Sequence, residues 1–156
     1  MTTPATPAAV TRYFQPGTTA IYWVPTIANL NVPTIAEVTA TASQVLQGDV
    51  AGVEGFKVEA ANLDVPDFGK RFVGSVPGRI TAADSTITFY ASATGADVRT
   101  IFTLGLNGYI AFFANGGVTG SAADYYKVTV ASVGRVRDME AVPTLDIKFT
   151  IRDYAE

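Results

Sequence analysis

Carboxylates carry most of the chemistry available to this chain. Its 156 residues include 14 Asp and Glu but no His and no Cys, so there is no imidazole to relay protons near neutral pH and no thiolate nucleophile or soft metal ligand. Asp49, Glu54, Asp64 and Asp67 form one grouping, of the oxygen type that calcium takes. Such a cation needs six or more oxygens, the EF-hand spacing is absent, and Pro66 splits the closest pair, so solvated turn residues are the simpler reading. Asp138 and Glu140 form a second grouping, beside Arg135 and Arg137. Glycoside hydrolysis needs two carboxylates at a set separation across a cleft; two acids next to two guanidiniums read more simply as surface ion pairs. Gly69-Lys70 lacks the upstream glycine and the following Ser or Thr of a phosphate loop, and Gly105 to Gly108 fits no dinucleotide fingerprint. Tyr13, Phe14, Tyr22, Trp23, Tyr125 and Tyr126 could stack sugars, although aromatic side chains more commonly supply buried area in cores and interfaces. No enzymatic activity, cofactor or metal is expected.

Composition points to contacts with other copies instead. Charged residues make up 16% of the chain, against about 25% in typical soluble domains, and the mean hydropathy is +0.24. A subunit that hides much of its surface against neighbours tolerates such a shortage, and exposed apolar patches mark such contacts. The net charge is −3 and the seven Arg and four Lys are scattered. Tight nucleic-acid binding needs clustered cations to neutralise phosphates, so none is expected. The first eleven residues carry no Lys or Arg and no secretory leader is expected there. No run reaches the roughly 18 apolar residues of a membrane helix.

The elements that must position these residues are mainly strands. Val occurs 18 times, Ile nine and Thr 20, against six Leu; β-branched residues favour the pleated surface of a sheet. Residues 1–15, with Pro4 and Pro7, read as a flexible arm ahead of a single domain over 16–156. Strands are expected over Thr19–Val24, Gly52–Ala61, Lys70–Val76, Asp84–Tyr90, Tyr109–Phe113, Tyr125–Val133 and Thr144–Asp153. In the last, Leu145, Ile147, Phe149 and Ile151 alternate with Asp146, Lys148, Thr150 and Arg152, giving one apolar and one hydrated face. Pro77-Gly78 is expected to break the chain, and Asn62–Gly69 to form a polar loop. Short helices are expected over Pro33–Ala42, with Glu37 in the first turn, and over Ala96–Leu104, where Val98, Ile101 and Phe102 recur at helical spacing. The fold class is therefore mainly β, a sandwich or barrel with a flanking short helix.

Several strings resemble the tail tube proteins of long-tailed bacteriophages, particularly the group found in phages of actinobacteria. They are Tyr22-Trp-Val-Pro25, Val53-Glu-Gly-Phe-Lys-Val-Glu59, Leu63-Asp-Val-Pro-Asp67, Val76-Pro-Gly-Arg79, Asp84-Ser-Thr-Ile-Thr-Phe-Tyr90 and Val128-Thr-Val-Ala-Ser-Val-Gly-Arg135. The resemblance implies a β-sandwich subunit forming six-membered rings that stack into a hollow conduit for DNA. It also implies partners within a virion tail: further copies of the chain, a tape-measure protein, a tail terminator and distal tail proteins, with DNA passing through unbound. By the same resemblance, Asn62, Leu63, Asp64, Val65, Pro66, Asp67, Phe68, Gly69 and Lys70 are the residues expected to reach the neighbouring ring. A capsid decoration protein, the inner tube of a contractile device and a carbohydrate-binding sandwich are the alternatives.

Overall fold

A four-residue link decides the shape of the main sheet. The computed structural model describes residues 16–95, 97–116, 122–137 and 139–155; the arm expected over residues 1–15 lies outside them. Nine strands occur among the described residues: β1 (Ala20–Val24), β2 (Gln44–Val45), β3 (Val50–Glu54), β4 (Val58–Val65), β5 (Gly74–Ala82), β6 (Ser85–Tyr90), β7 (Asn107–Phe113), β8 (Ala123–Val136) and β9 (Thr144–Ala155). Seven form one antiparallel sheet in the order β2-β1-β7-β8-β9-β6-β3, and β4 pairs with β5 in a separate hairpin. The successive strands β2 and β3 thus lie at opposite ends of the sheet, joined by Leu46 to Asp49 alone. A flat seven-stranded sheet would hold its end strands about 29 Å apart at the usual ~4.8 Å spacing, whereas this link spans at most about 18 Å when extended. It is not extended, since Asp49 N–H bonds to Leu46 C=O at 3.1 Å. The sheet must therefore curl into a half-barrel.

Both ends hold the link. Leu46 N–H donates to Ile21 C=O of β1 at 2.8 Å, and Tyr90 N–H of β6 donates to Asp49 C=O at 2.9 Å. Gln47 Oε1 accepts from Ile21 N–H at 3.2 Å. The Leu46 side chain sits in the concave core with Ile21, Trp23, Ile87, Phe89, Ile110, Val128, Val130, Leu145, Ile147 and Phe149. Phe102 crosses that hollow, its ring 5.0 Å from Trp23, 5.9 Å from Phe89 and 5.5 Å from Phe149 by centroids, so one side chain spans strands that lie far apart in sheet order. A second core covers the convex face of β1 and β7, where Ala20, Val24, Ala111 and Phe113 pack beneath Ile27 and Val38.

Val38 belongs to α1 (Ile35–Val38), shorter than the helix expected over Pro33–Ala42. Thr34 caps it: its hydroxyl accepts from Glu37 N–H, and the Glu37 carboxylate accepts from Thr34 N–H and Ala28 N–H, each at 2.8 Å. The helix is a clip holding the residues after β1 rather than a packing layer of its own.

Three further expectations are corrected. The strand expected over Gly52–Ala61 is two strands, because Gly55 (φ 81°) and Phe56 (φ 51°) turn left-handed. A side chain at Gly55 would meet Asp84 C=O at 2.5 Å. Phe56, a residue for which that φ is strained, is held at both backbone groups: its N–H donates to the buried Ser85 Oγ and its C=O accepts from Tyr126 Oη. The reward is its ring, which closes the hollow against Phe112, Tyr126 and Phe149. The helix expected over Ala96–Leu104 is a single 3₁₀ turn, Val98–Thr100, although Val98 and Phe102 are buried as their spacing indicated. The break expected at Pro77-Gly78 is instead the middle of β5.

Replacing Leu46 by Ala is expected to cost about 2–5 kcal/mol of unfolding free energy, the usual range for emptying a core leucine site. Urea denaturation measures it; a loss under about 1 kcal/mol would show that the link does not anchor the curl.

Candidate functional interface

The residues expected to form the contact do come together, on the β4–β5 hairpin. Asn62, Leu63, Asp64 and Val65 are the end of β4, a correction to the polar loop expected there, and Pro66, Asp67, Phe68, Gly69 and Lys70 form the tip. All nine are exposed. The tip is ordered by Asp67, whose Oδ1 accepts from Gly69 N–H at 2.9 Å and whose C=O accepts from Lys70 N–H at 3.2 Å. β5 begins at Gly74 rather than at Lys70 and runs through Pro77, which stands opposite Asn62 at a register shift. Proline is tolerated there because a bulge needs no ladder donor. Gly78 is required at the same irregularity, since a Cβ would lie 2.6 Å from Ala61 C=O and 2.9 Å from Leu63 Cγ.

The shift also redistributes the apolar side chains. On the base side Ala60 pairs with Ile80 and Val58 with Ala82; on the tip side Leu63 pairs with Val76 and Val65 with Gly74. Residues 60 and 63 on one strand point to opposite faces, so the hairpin is apolar on one face near its base and on the other near its tip. Leu63, Val65, Phe68, Phe72, Val73, Val76 and Ile80 are seven of the sixteen large apolar side chains exposed among the described residues, which makes this a patch rather than scatter. Phe68 is fully exposed and Phe72 is 81% exposed. An isolated two-stranded hairpin is marginal in water, and an exposed apolar surface of this kind is the type that marks contact sites. Sequence reasoning missed Phe72, Val73, Val76 and Ile80. The run Arg79-Ile-Thr-Ala82 could have revealed them, had Pro77-Gly78 been read as a bulge.

No catalytic arrangement accompanies the hairpin. Among the described residues no three acidic side chains come close enough to hold a metal ion, and Asp138 lies outside them. The sugar-stacking set is not a platform, because Trp23, Tyr125 and Tyr126 are buried; Tyr13 and Phe14 lie outside the described residues. Two close ion pairs join described residues. Lys57 and Glu59 meet at 2.8 Å at the exposed base of the hairpin. Arg99 makes a bidentate contact to Asp97, Nε to Oδ1 at 2.8 Å and Nη2 to Oδ2 at 2.7 Å. Asp97 also accepts from Arg99 N–H and Ser92 N–H. These bonds, the Arg99 side chain foremost, hold its carboxyl down at about 2. The pair is structural: Asp97 caps the 3₁₀ turn that leads into Phe102.

Comparison with known proteins gives a family match and a structural likeness. A family model described as "Phage tail tube protein" matches residues 6–156. A chain in the cryo-EM structure of the anti-feeding prophage (AFP) baseplate, 6-fold symmetrised, has a similar fold, with TM-score 0.53, 9% identity, and 97% of this chain and 95% of that chain covered. No curated protein matches in sequence.

Because the folded-state value of Asp97 lies below the ordinary 3.8, its stabilising effect is complete above that value and is lost as pH falls through about 2. Asp97→Asn should therefore flatten the dependence of melting temperature on pH between about 4 and 2. An unchanged slope would mean that the Arg99 pair does not hold the turn.

Proposed function

Because the chain belongs to the phage tail tube protein family, a structural and non-enzymatic one, we propose that six copies close into a ring and that rings stack into a hollow conduit for the genome. The observation that carries this reading is the filled interior of the curled sheet. A barrel needs about 16 strands before it encloses an aqueous channel, and here the hollow is packed with Trp23, Phe56, Phe102 and Phe149. Any bore must lie between copies, not within one. The fold supports the same reading, since the structurally similar chain belongs to an assembly that was 6-fold symmetrised.

The hairpin supplies contacts that a ring alone does not need. With apolar residues on opposite faces near its base and its tip, it can face two neighbours at once, one in its own ring and one in the next. Its eight-residue strand β4 reaches about 26 Å at ~3.3 Å per residue, enough to leave the body of its own subunit. The net charge of −3 suits a wall along which DNA slides without sticking. The protein is then a component of the virion tail, assembled in the host cytoplasm with tape-measure, terminator and distal tail proteins. The sequence resemblance favours a long-tailed phage of the actinobacterial group.

Electron microscopy of purified protein over a concentration series tests the assembly. Six-fold rings or tubes are expected, and particles that remain monomeric at the highest concentration would overturn the reading. Leu63→Glu combined with Val76→Lys, opposite charges at facing register positions, should stop stacking while changing stability by only about 0.5 kcal/mol per site, as for exposed positions. Tubes that still grow from this variant would remove the hairpin from the contact.

A further inference from the structure

Where the curled sheet fails to close edge to edge, it leaves an open cleft of about 900 Å³ between the start of β1 and β3. Phe56, Phe112 and Tyr126 form its aromatic floor, with the last two rings 5.0 and 5.4 Å from Phe56 by centroids and tilted edge to face. One wall is β3, the last strand of the sheet, whose outer edge has no ladder partner among the described residues. Thr19, in the opposite wall, holds a buried hydroxyl with no hydrogen-bond partner among the described residues. Among the described residues that line the cleft, the charged one is Asp124. A small-molecule site of this size would carry a few convergent polar groups; this one offers aromatic rings, a strand edge and a single acid.

We propose that the cleft receives the tip of the β4–β5 hairpin from a second copy of the chain, a docking that rests on the tube reading and specifies how its copies hold one another. Tip and cleft match in three ways. Phe68 and Phe72 are exposed aromatics that can meet the floor edge to face. Lys70 and Arg71 stand between them, neither within ion-pairing distance of a described acid, and carry the charge opposite to Asp124. Residues 71–73 lie between the tip turn and the start of β5, outside the ladder, so their backbone groups are available to add a short strand to the open edge of β3. Strand addition draws affinity from the main chain and specificity from side-chain pockets. The contact joins two different surfaces, so it is heterologous and propagates from copy to copy instead of closing a pair.

The chain has no cysteine, so Gly69→Cys places a unique thiol at the tip, and a maleimide–diazirine reagent attached there marks whatever the tip touches. Isotope-labelled and unlabelled protein are mixed at high concentration, irradiated and digested. The expected result is cross-linked peptides of mixed isotope joining residue 69 to residues 50–56 or 122–126. Cross-links that are absent, confined to one chain, or directed to residues 1–15 or other surfaces overturn the docking. Asp124→Lys should lower the mixed cross-link roughly two- to five-fold, as loss of an exposed ion pair does, and adding Arg71→Glu should restore it; failure to restore contradicts the charge pairing. Micrographs of the same samples separate the two proposals. Tubes without the cross-link overturn the docking and leave the tube reading standing, whereas cross-linked particles that never form rings or tubes uphold the docking and count against the tube.

Discussion

The short link from Leu46 to Asp49 sets the form of everything else. Two strands adjacent in sequence sit at opposite ends of a seven-stranded sheet, and four residues bent by a turn cannot bridge a flat one. Curling is forced, and the hydrogen bonds from Leu46 to β1 and from β6 to Asp49 fix both ends of it. Once the sheet is curled, its concave face needs bulky side chains reaching inward from outside the ladder. Phe102 arrives from the 3₁₀ turn and Phe56 from a left-handed corner. Both are held by polar devices at the rim, the Asp97–Arg99 pair and the Ser85–Tyr126 clamp. Polar bonds at the edge thus serve to aim aromatic rings into the middle.

That economy has a consequence for what lies outside. A sheet filled by its own side chains has no room for β4 and β5, which leave as a hairpin with little cover. The body is complete as a core, while the hairpin and the free edge of β3 are not complete as surfaces. Under the proposed assembly, a low charge content and an exposed apolar patch are two signs of the same state, a subunit whose remaining burial comes from other copies. In that proposed assembly, the passage for DNA is an empty space bounded by several filled half-barrels.

The strongly alternating strands were legible in the sequence. Thr144–Asp153 and Asp84–Tyr90 lie within a residue or two of their observed limits, because each buries one face and exposes the other. The flanking helix was legible through Glu37, although its role as a cap shortened it to one turn. Helical spacing at Val98, Ile101 and Phe102 identified two buried residues and one partly buried, but not their conformation, since Asp97 bonding to Arg99 two residues on favours a tight turn over a continuing helix. Phe56 was read as one more alternating strand residue; its positive φ depends on partners 29 and 70 residues away, which no local pattern records. The segment singled out through family-like strings lies on an exposed hairpin, where a strand end stands in place of the loop read from the sequence. Pro77 and Gly78 punctuate most chains, and here a register shift absorbs both.

Hydrogen exchange resolved by residue, on dispersed and on assembled protein, tests most directly whether the body is self-sufficient and the hairpin is not. Amides of β1, β6 and β9 should exchange slowly in both states. Those of β4 and β5 should exchange quickly in the dispersed subunit and become protected on assembly. A hairpin already protected in the dispersed subunit, or one equally exposed in both states, would contradict the account.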